Sequence, residues 1–317
     1  MDYAPLIEEI IHDNLSGSQE LASRAGSIVC RLTEEKKSSP LEELRGVVLE
    51  VGGALLRGQP AMASLFNLFD RILPELDRAS SGAAAARAVR RATQAFIVEM
   101  EEHNRKISAH LFDLVKKEGV IITHSASRSV REALRHCWKE GKRFSVICTE
   151  SRPACEGVLL AGHLAKQGIP TTLTTDALCL SLMMSPPHGK KESRVVLVGA
   201  DSVSLQGLTN KAGTLGLAMI AKNCSIPFYA LAGSEKFLPS TFPVEKAIQE
   251  RPPEEILSSP PAGLKIINRY FDITSLPYLT AVVTEQGILP PKDLEEQLEK
   301  LTPHPQLITM LKIVNSK

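Results

Sequence analysis

The chain has 317 residues, 37 of them Lys or Arg and 36 Asp or Glu, which gives length for one large or two ordinary cores and a charge balance that argues against a polyanion or a membrane surface as main partner. Direct nucleic-acid binding is therefore not expected. A membrane span is not expected either, because no apolar run approaches the roughly 18 residues it needs. Six cysteines, Cys30, Cys137, Cys148, Cys155, Cys179 and Cys224, stand singly with no CxxC pair, which suits reduced thiols of a cytoplasmic protein better than disulfides or a metal site. Asp2, Glu8, Glu9 and Asp13 make the first residues the wrong chemistry for a signal peptide. No metal and no cofactor is expected.

From residue 4 to about 117 apolar residues recur three and four apart, which predicts a helical domain over 1–117. Leu41, Leu44, Val48, Leu49, Ala54 and Leu55 form one stripe, ended by Gly58-Gln59-Pro60. A buried helix restarts over 61–76, and Ser80 opens a long helix running toward Lys117, on which His103 and His110 lack metal-ligand spacing.

After Gly119 short apolar runs over 120–123, 145–149, 171–174, 195–198 and 228–231 alternate with helical stretches. In the first of those helices Val130, Ala133, Leu134, Cys137 and Trp138 share a face that packs on a sheet. Strands separated by helices require crossovers, so the predicted fold class is α/β: the helical domain is followed over 118–317 by a Rossmann-like parallel-sheet domain. In such sheets ligands bind beyond the carboxyl ends of the strands. The loops after Thr123, Thr149, Thr174, Val198 and Leu231 are therefore where chemistry belongs.

The first of these loops reads Thr123-His124-Ser125-Ala126-Ser127-Arg128, hydroxyls and a guanidinium at a helix start, either a phosphate cradle or an ordinary N-cap at Ser127. His124 by itself reads more readily as a structural histidine than as a base. In the second loop Glu150 and Arg152 precede Pro153, where they could pair with each other or Arg152 could fork onto an anion. After the fourth run come Gly199-Ala200-Asp201-Ser202 and then Asn210-Lys211-Ala212-Gly213-Thr214. Asp201, an acid at the end of an apolar strand, is the best acid–base candidate, with an N-cap or a Lys211 partner as its structural alternative. The spacing of a Walker motif is absent, so nucleotide hydrolysis has no support.

Together with Arg143-Phe144-Ser145-Val146, Ser234-Glu235-Lys236-Phe237, Tyr270-Phe271-Asp272-Ile273-Thr274 and Val283-Thr284-Glu285-Gln286-Gly287-Ile288-Leu289-Pro290, these motifs resemble the initiation factor 2B alpha/beta/delta family, which also contains methylthioribose-1-phosphate and ribose-1,5-bisphosphate isomerases. The likeness covers about two-thirds of the chain and extends weakly into the helical part through Arg45-Gly46 and Gln59-Pro60-Ala61-Met62-Ala63.

In its isomerase branch the resemblance implies aldose–ketose conversion of a sugar 1-phosphate by a cysteine and an aspartate. Carried over by motif, Asp201 takes the acid's place and Ser125 stands where the cysteine would be. The implied substrate-binding set is Arg45, Gly46, Gln59, Ser127, Arg128, Arg152, Asn210, Lys211 and Lys236. Serine is far less acidic than a thiol and needs a base beside it, and Gln59 stands where isomerases usually place an arginine before Pro-Thr. The resemblance thus leans toward a regulatory subunit of the initiation factor 2B type, non-catalytic or weakly catalytic, binding a phosphosugar or nucleotide. It also implies a homodimer or higher homo-oligomer, with an initiation factor 2-type protein as a further partner. A true isomerase is the alternative, and a plain assembly scaffold the third reading.

Overall fold

The structure is a computed structural model, and it describes residues 3–116, 118–184, 193–244 and 248–312. Helices α1 (Ala4–Ile11), α2 (Ser18–Glu35), α3 (Leu41–Gly58), α4 (Ala63–Asp77) and α5 (Gly82–Leu114) form the N-terminal region. Ser81 starts α5 by accepting the Ala84 N–H on its hydroxyl, which satisfies one of the otherwise unpaired donors of the first turn. The apolar stripes meet in one core containing Leu21, Val29, Leu44, Leu55, Phe66 and Phe69. Leu238, Phe242 and Tyr270 join the same core, as do Leu307 and Met310 of α11 (Pro305–Lys312), so the last helix returns to pack on the first region.

The main sheet has seven strands in the order β10-β9-β7-β4-β1-β2-β3. These are β1 (Gly119–Thr123), β2 (Phe144–Thr149), β3 (Thr171–Thr174), β4 (Arg194–Val198), β7 (Phe228–Leu231), β9 (Ala281–Thr284) and β10 (Gly287–Leu289). All neighbours are parallel except β10, which folds back antiparallel on β9. The five apolar runs of the sequence are β1, β2, β3, β4 and β7, so the predicted helical-then-parallel-sheet architecture is the one observed.

Side chains alternate between the two faces of the sheet, as strand geometry requires. Ile121, Leu197, Leu231 and Val283 pack under α5, α6 (Arg128–Lys139) and α7 (Glu156–Lys166). Ile122, Val196, Ala230 and Val282 pack on the other face with α8 (Asp176–Met184), α9 (Thr214–Asn223) and α10 (Pro291–Glu299). Both faces are covered, which is why the strands read as continuous apolar runs.

A smaller antiparallel sheet, β5-β6-β8, was not foreseen. It joins β5 (Ser202–Ser204), β6 (Gly207–Lys211) and β8 (Phe271–Thr274). Asn210 and Lys211, expected in a loop before a helix, lie instead in β6 opposite Asp272 and Phe271. Among the described residues no helix is long and apolar enough to cross a membrane.

Candidate ligand site at the switch point of the sheet

The order of the strands reverses between β1 and β4, so the loops leaving these two neighbours diverge to opposite faces and leave a crevice at their carboxyl ends. A cavity of about 240 Å³ lies there, lined by Ser125, Ser127, Asp201, Asn210 and Lys236 and bounded by Ser18 and Gln19 at the start of α2. Its walls come close together at Gly199. A Cβ at that position would stand 2.5 Å from Ser127 Oγ, so only glycine lets the β4 loop pass the start of α6.

Ser125 has a left-handed backbone (φ 68°) held by its N–H donating to Ser151 Oγ at 2.8 Å. Its hydroxyl donates to Glu156 Oε1 at 2.9 Å. The same oxygen receives the Lys211 ammonium at 2.8 Å, and both partners' side chains are only 5% exposed. Lys211 also lies over the Tyr270 ring, 4.6 Å from its centroid. Glu156 can reach this point because α7 begins against the end of β2. The next residue is Gly157, where a Cβ would fall 1.9 Å from the Thr149 carbonyl oxygen. Among the described residues Glu156 Oε2 accepts no hydrogen bond although it is buried, an arrangement that typically costs about 1–3 kcal/mol.

His124 is structural in its contacts. Nε2 donates to the Ala212 carbonyl at 2.9 Å, which leaves Nδ1 to accept from the Thr149 hydroxyl at 2.5 Å. Burial holds the imidazole below its ordinary pKa, opposed by the Ala212 bond and by Asp176 and Glu156, so the ring is neutral.

Burial pushes the Asp201 carboxyl up to about 6, against the pull of Lys236 and Lys211 and with Glu156 adding to the rise. Lys236 is 5% exposed, and among the described residues no hydrogen bond or ion pair engages its ammonium. Burial lowers its pKa, opposed by Glu235 and Asp201. Glu235 points away from the cavity and accepts from Gln19 Nε2 at 2.8 Å, while its other oxygen meets His103 Nδ1 at 2.7 Å. Burial disfavours the Glu235 charge, yet His103, Lys236 and Gln19 together hold the carboxyl below its usual range. Asn67 of α4 donates to the carbonyls of Glu235 and Phe237 at 2.7 and 2.9 Å. Three helices of the N-terminal region thus grip the segment that carries Lys236.

The remaining residues singled out in the sequence separate into two groups. Ser127 lines the cavity and caps α6 through the Val130 N–H at 3.4 Å. Arg128 also lines it, with its guanidinium engaged by Glu101 at 2.7 and 2.8 Å and by Glu132 at 3.2 Å. Asn210 lines it while donating to Thr214 Oγ1 at 3.0 Å. Lys211 stands behind Ser125, held by Glu156 rather than by Asp201.

Outside the cavity, Arg152 is exposed and its N–H donates to Asp176 Oδ2 at 2.8 Å. Arg45 pairs with Asp77 at 2.7 Å and Gly46 is exposed beside it on α3. Gln59 is buried and its amide donates to the carbonyls of Ile10 and Asp13, each at 2.9 Å, closing the end of α1. Glu156, Glu235 and Gln19 were not singled out from the sequence. Among the described residues no cluster of His, Cys, Asp and Glu has the form of a metal site.

A doubly wound sheet with a polar cavity at its switch point, closed on one side by a helical region, defines a Rossmann-like α/β protein. The chain belongs to the initiation factor 2 subunit family, whose model matches residues 14–291. It is 33% identical over 291 residues to a protein of Pyrococcus furiosus named as translation initiation factor eIF-2B subunit 2-like, covering 91% of this chain and 97% of that one. It is also 33% identical over 263 residues to the ribose 1,5-bisphosphate isomerase of Methanocaldococcus jannaschii, covering 82% of each. The crystal structure of the Pyrococcus horikoshii translation initiation factor eIF-2B superposes with a TM-score of 0.78 at 30% identity, over 92% of this chain and 98% of that one.

Proposed function

We propose that this protein binds a phosphosugar or nucleotide in the cavity between β1 and β4 and serves as a non-catalytic or weakly catalytic subunit of the initiation factor 2B type. The observation that carries this reading is the setting of Ser125. Its proton already points at Glu156, and that carboxylate is neutralised by Lys211. A hydroxyl so placed has neither the acidity of a thiol nor a free base beside it, so proton transfer between adjacent sugar carbons lacks one of its two partners.

The lining of the cavity supports the binding half of the reading. Lys236 offers an ammonium unengaged among the described residues, Ser127 and the first turn of α6 offer donors to a phosphate, and ionised Asp201 can accept from a sugar hydroxyl. At about 240 Å³ the space lies below the roughly 300–1,000 Å³ of drug-sized sites, a size for a pentose phosphate or mononucleotide rather than a dinucleotide. The reading extends to a cytoplasmic homo-oligomer that meets an initiation factor 2-type protein.

The alternative, an aldose–ketose isomerase, is favoured by one observation: a carboxyl near 6 at the cavity wall suits general acid–base work at neutral pH. A proton NMR time course with ribose 1,5-bisphosphate and with methylthioribose 1-phosphate separates the two. Saturable binding by calorimetry without ketose product supports the regulatory reading. Turnover that vanishes in Asp201→Asn establishes the isomerase.

A further inference from the structure

Two buried ammonium groups come near the cavity, and the structure gives them opposite circumstances. Lys236 lines the space with no hydrogen bond or ion pair among the described residues. Lys211 is one contact further back, its charge spent on the oxygen of Glu156 that also takes the Ser125 proton. Arg128, at the rim, is likewise engaged by Glu101 and Glu132. Arg131 also lines the space, 3.9 Å from Glu132 and more than a third exposed. Among the described residues the inner wall thus offers one buried cation without a partner, Lys236, with Asp201 as the carboxyl near it.

We propose that Glu156 is the specificity-determining residue of this pocket: by holding Lys211 and the Ser125 hydroxyl on one oxygen, it restricts the site to ligands with a single phosphate and disfavours bisphosphates. The inference rests on the phosphate-binding reading above and makes its ligand class narrower. A second phosphate seated on the inner wall, away from the arginines of the rim, would meet the Glu156-neutralised side and lose its water without gaining a charge-assisted partner. Glu156 does not touch the ligand. It acts through Lys211 and Ser125, which is why its removal changes selectivity rather than binding as such.

The test is calorimetric titration of the full chain with ribose 1-phosphate and ribose 1,5-bisphosphate at about pH 8, where Asp201 is ionised. Wild type is expected to favour the monophosphate, and equal affinities for the two would overturn the inference. Glu156→Gln is expected to shift preference toward the bisphosphate by on the order of tenfold, the effect of one charge-assisted hydrogen bond. The double variant Glu156→Gln/Lys211→Gln, whose summed charge equals that of wild type, is expected to return selectivity to within about twofold of wild type.

A wild-type preference for the bisphosphate, an unchanged ratio in Glu156→Gln, or a shift that persists in the double variant would each overturn the inference. Should Glu156→Gln fail to fold, the double variant decides against Lys236→Gln: wild-type affinities in the former beside a large loss in the latter support the inference, and equal losses overturn it. Wild type that binds neither probe overturns the phosphate reading itself and the inference with it, whereas binding with the wrong selectivity overturns the inference alone.

Discussion

At the scale of single residues the cavity is governed by Asp201. Its carboxyl stands at about 6 rather than 3.8, so folding favours the protonated form. That contribution is fully present below about 3.8 and is lost as pH rises through about 6, above which the ionised group costs on the order of 2 kcal/mol, allowing for the open side of the cavity. Asp201→Asn is accordingly expected to unfold at a higher temperature than wild type near about pH 8 and at the same temperature near about pH 4, followed by circular dichroism. Ligand affinity should fall in the same variant, because the amide offers a donor where a sugar hydroxyl needs an acceptor. Equal stability at both pH values would remove the burial argument.

Asp201 and Ser125 could be found in the sequence because parallel strands dictate where loops matter. Glu156 could not: its importance depends on α7 starting hard against β2, and the only local trace is Gly157 after it. Lys211 was legible as a lysine near the site, but its partner was not, since any of the 36 acidic residues could have claimed it; the pairing with Glu156 follows from β6 being a strand.

At the scale of elements the informative case is that ribbon. β5 has three residues and β8, which pairs with β6, begins 60 positions after β6 ends, so no local pattern announces the sheet. The ribbon also supplies what α9 lacks. Gly213 precedes this helix with φ 109° and no side chain to cap it, and Asp272 of β8 accepts the N–H groups of Gly213 at 2.7 Å and Leu215 at 3.2 Å instead. Asp272→Ala should therefore destabilise the protein by about 1–2 kcal/mol in urea titration at neutral pH, the usual effect of a lost cap. A change within a few tenths would mean that water replaces the carboxylate at no cost. The short apolar runs that became β1, β2, β4 and β7 were readable because both faces of the sheet are covered. β9 escaped because three apolar residues and a threonine between turns resemble any short buried segment.

At the scale of the whole molecule two features bear on assembly and cohesion. Glu235 ties α2 and α5 to the cavity wall through Gln19 and His103. Removing it takes from the partly buried His103 imidazole the carboxylate that raises its pKa and from Gln19 its acceptor, so Glu235→Ala should cost about 3–5 kcal/mol, with Glu235→Gln milder because the bond from Gln19 survives. Thermal unfolding of both variants checks this, and equal losses would mean that charge rather than hydrogen bonding holds the seam. On the other side, Val158, Leu159, Leu173 and Leu178 are exposed around the open edge at β3. Covering such a face is the simplest role for a second copy. Sedimentation at micromolar concentration should show a dimer that Leu178→Glu weakens, and a monomeric wild type would count against the oligomeric reading.

The helix α5 runs unbroken for 33 residues, about 50 Å at 1.5 Å per residue. Val89, Phe96 and Met100 bed one stretch of it in the helical core, while Ile107 and Leu111 bed the other in the core beneath the sheet. His103, which holds Glu235, falls between them. In mechanical terms the helix is a beam with a fulcrum beside the cavity. A tilt of one degree about His103 would move the Gly82 end, about 32 Å away, by about 0.5 Å, a shift delivered at a surface far from any bound molecule.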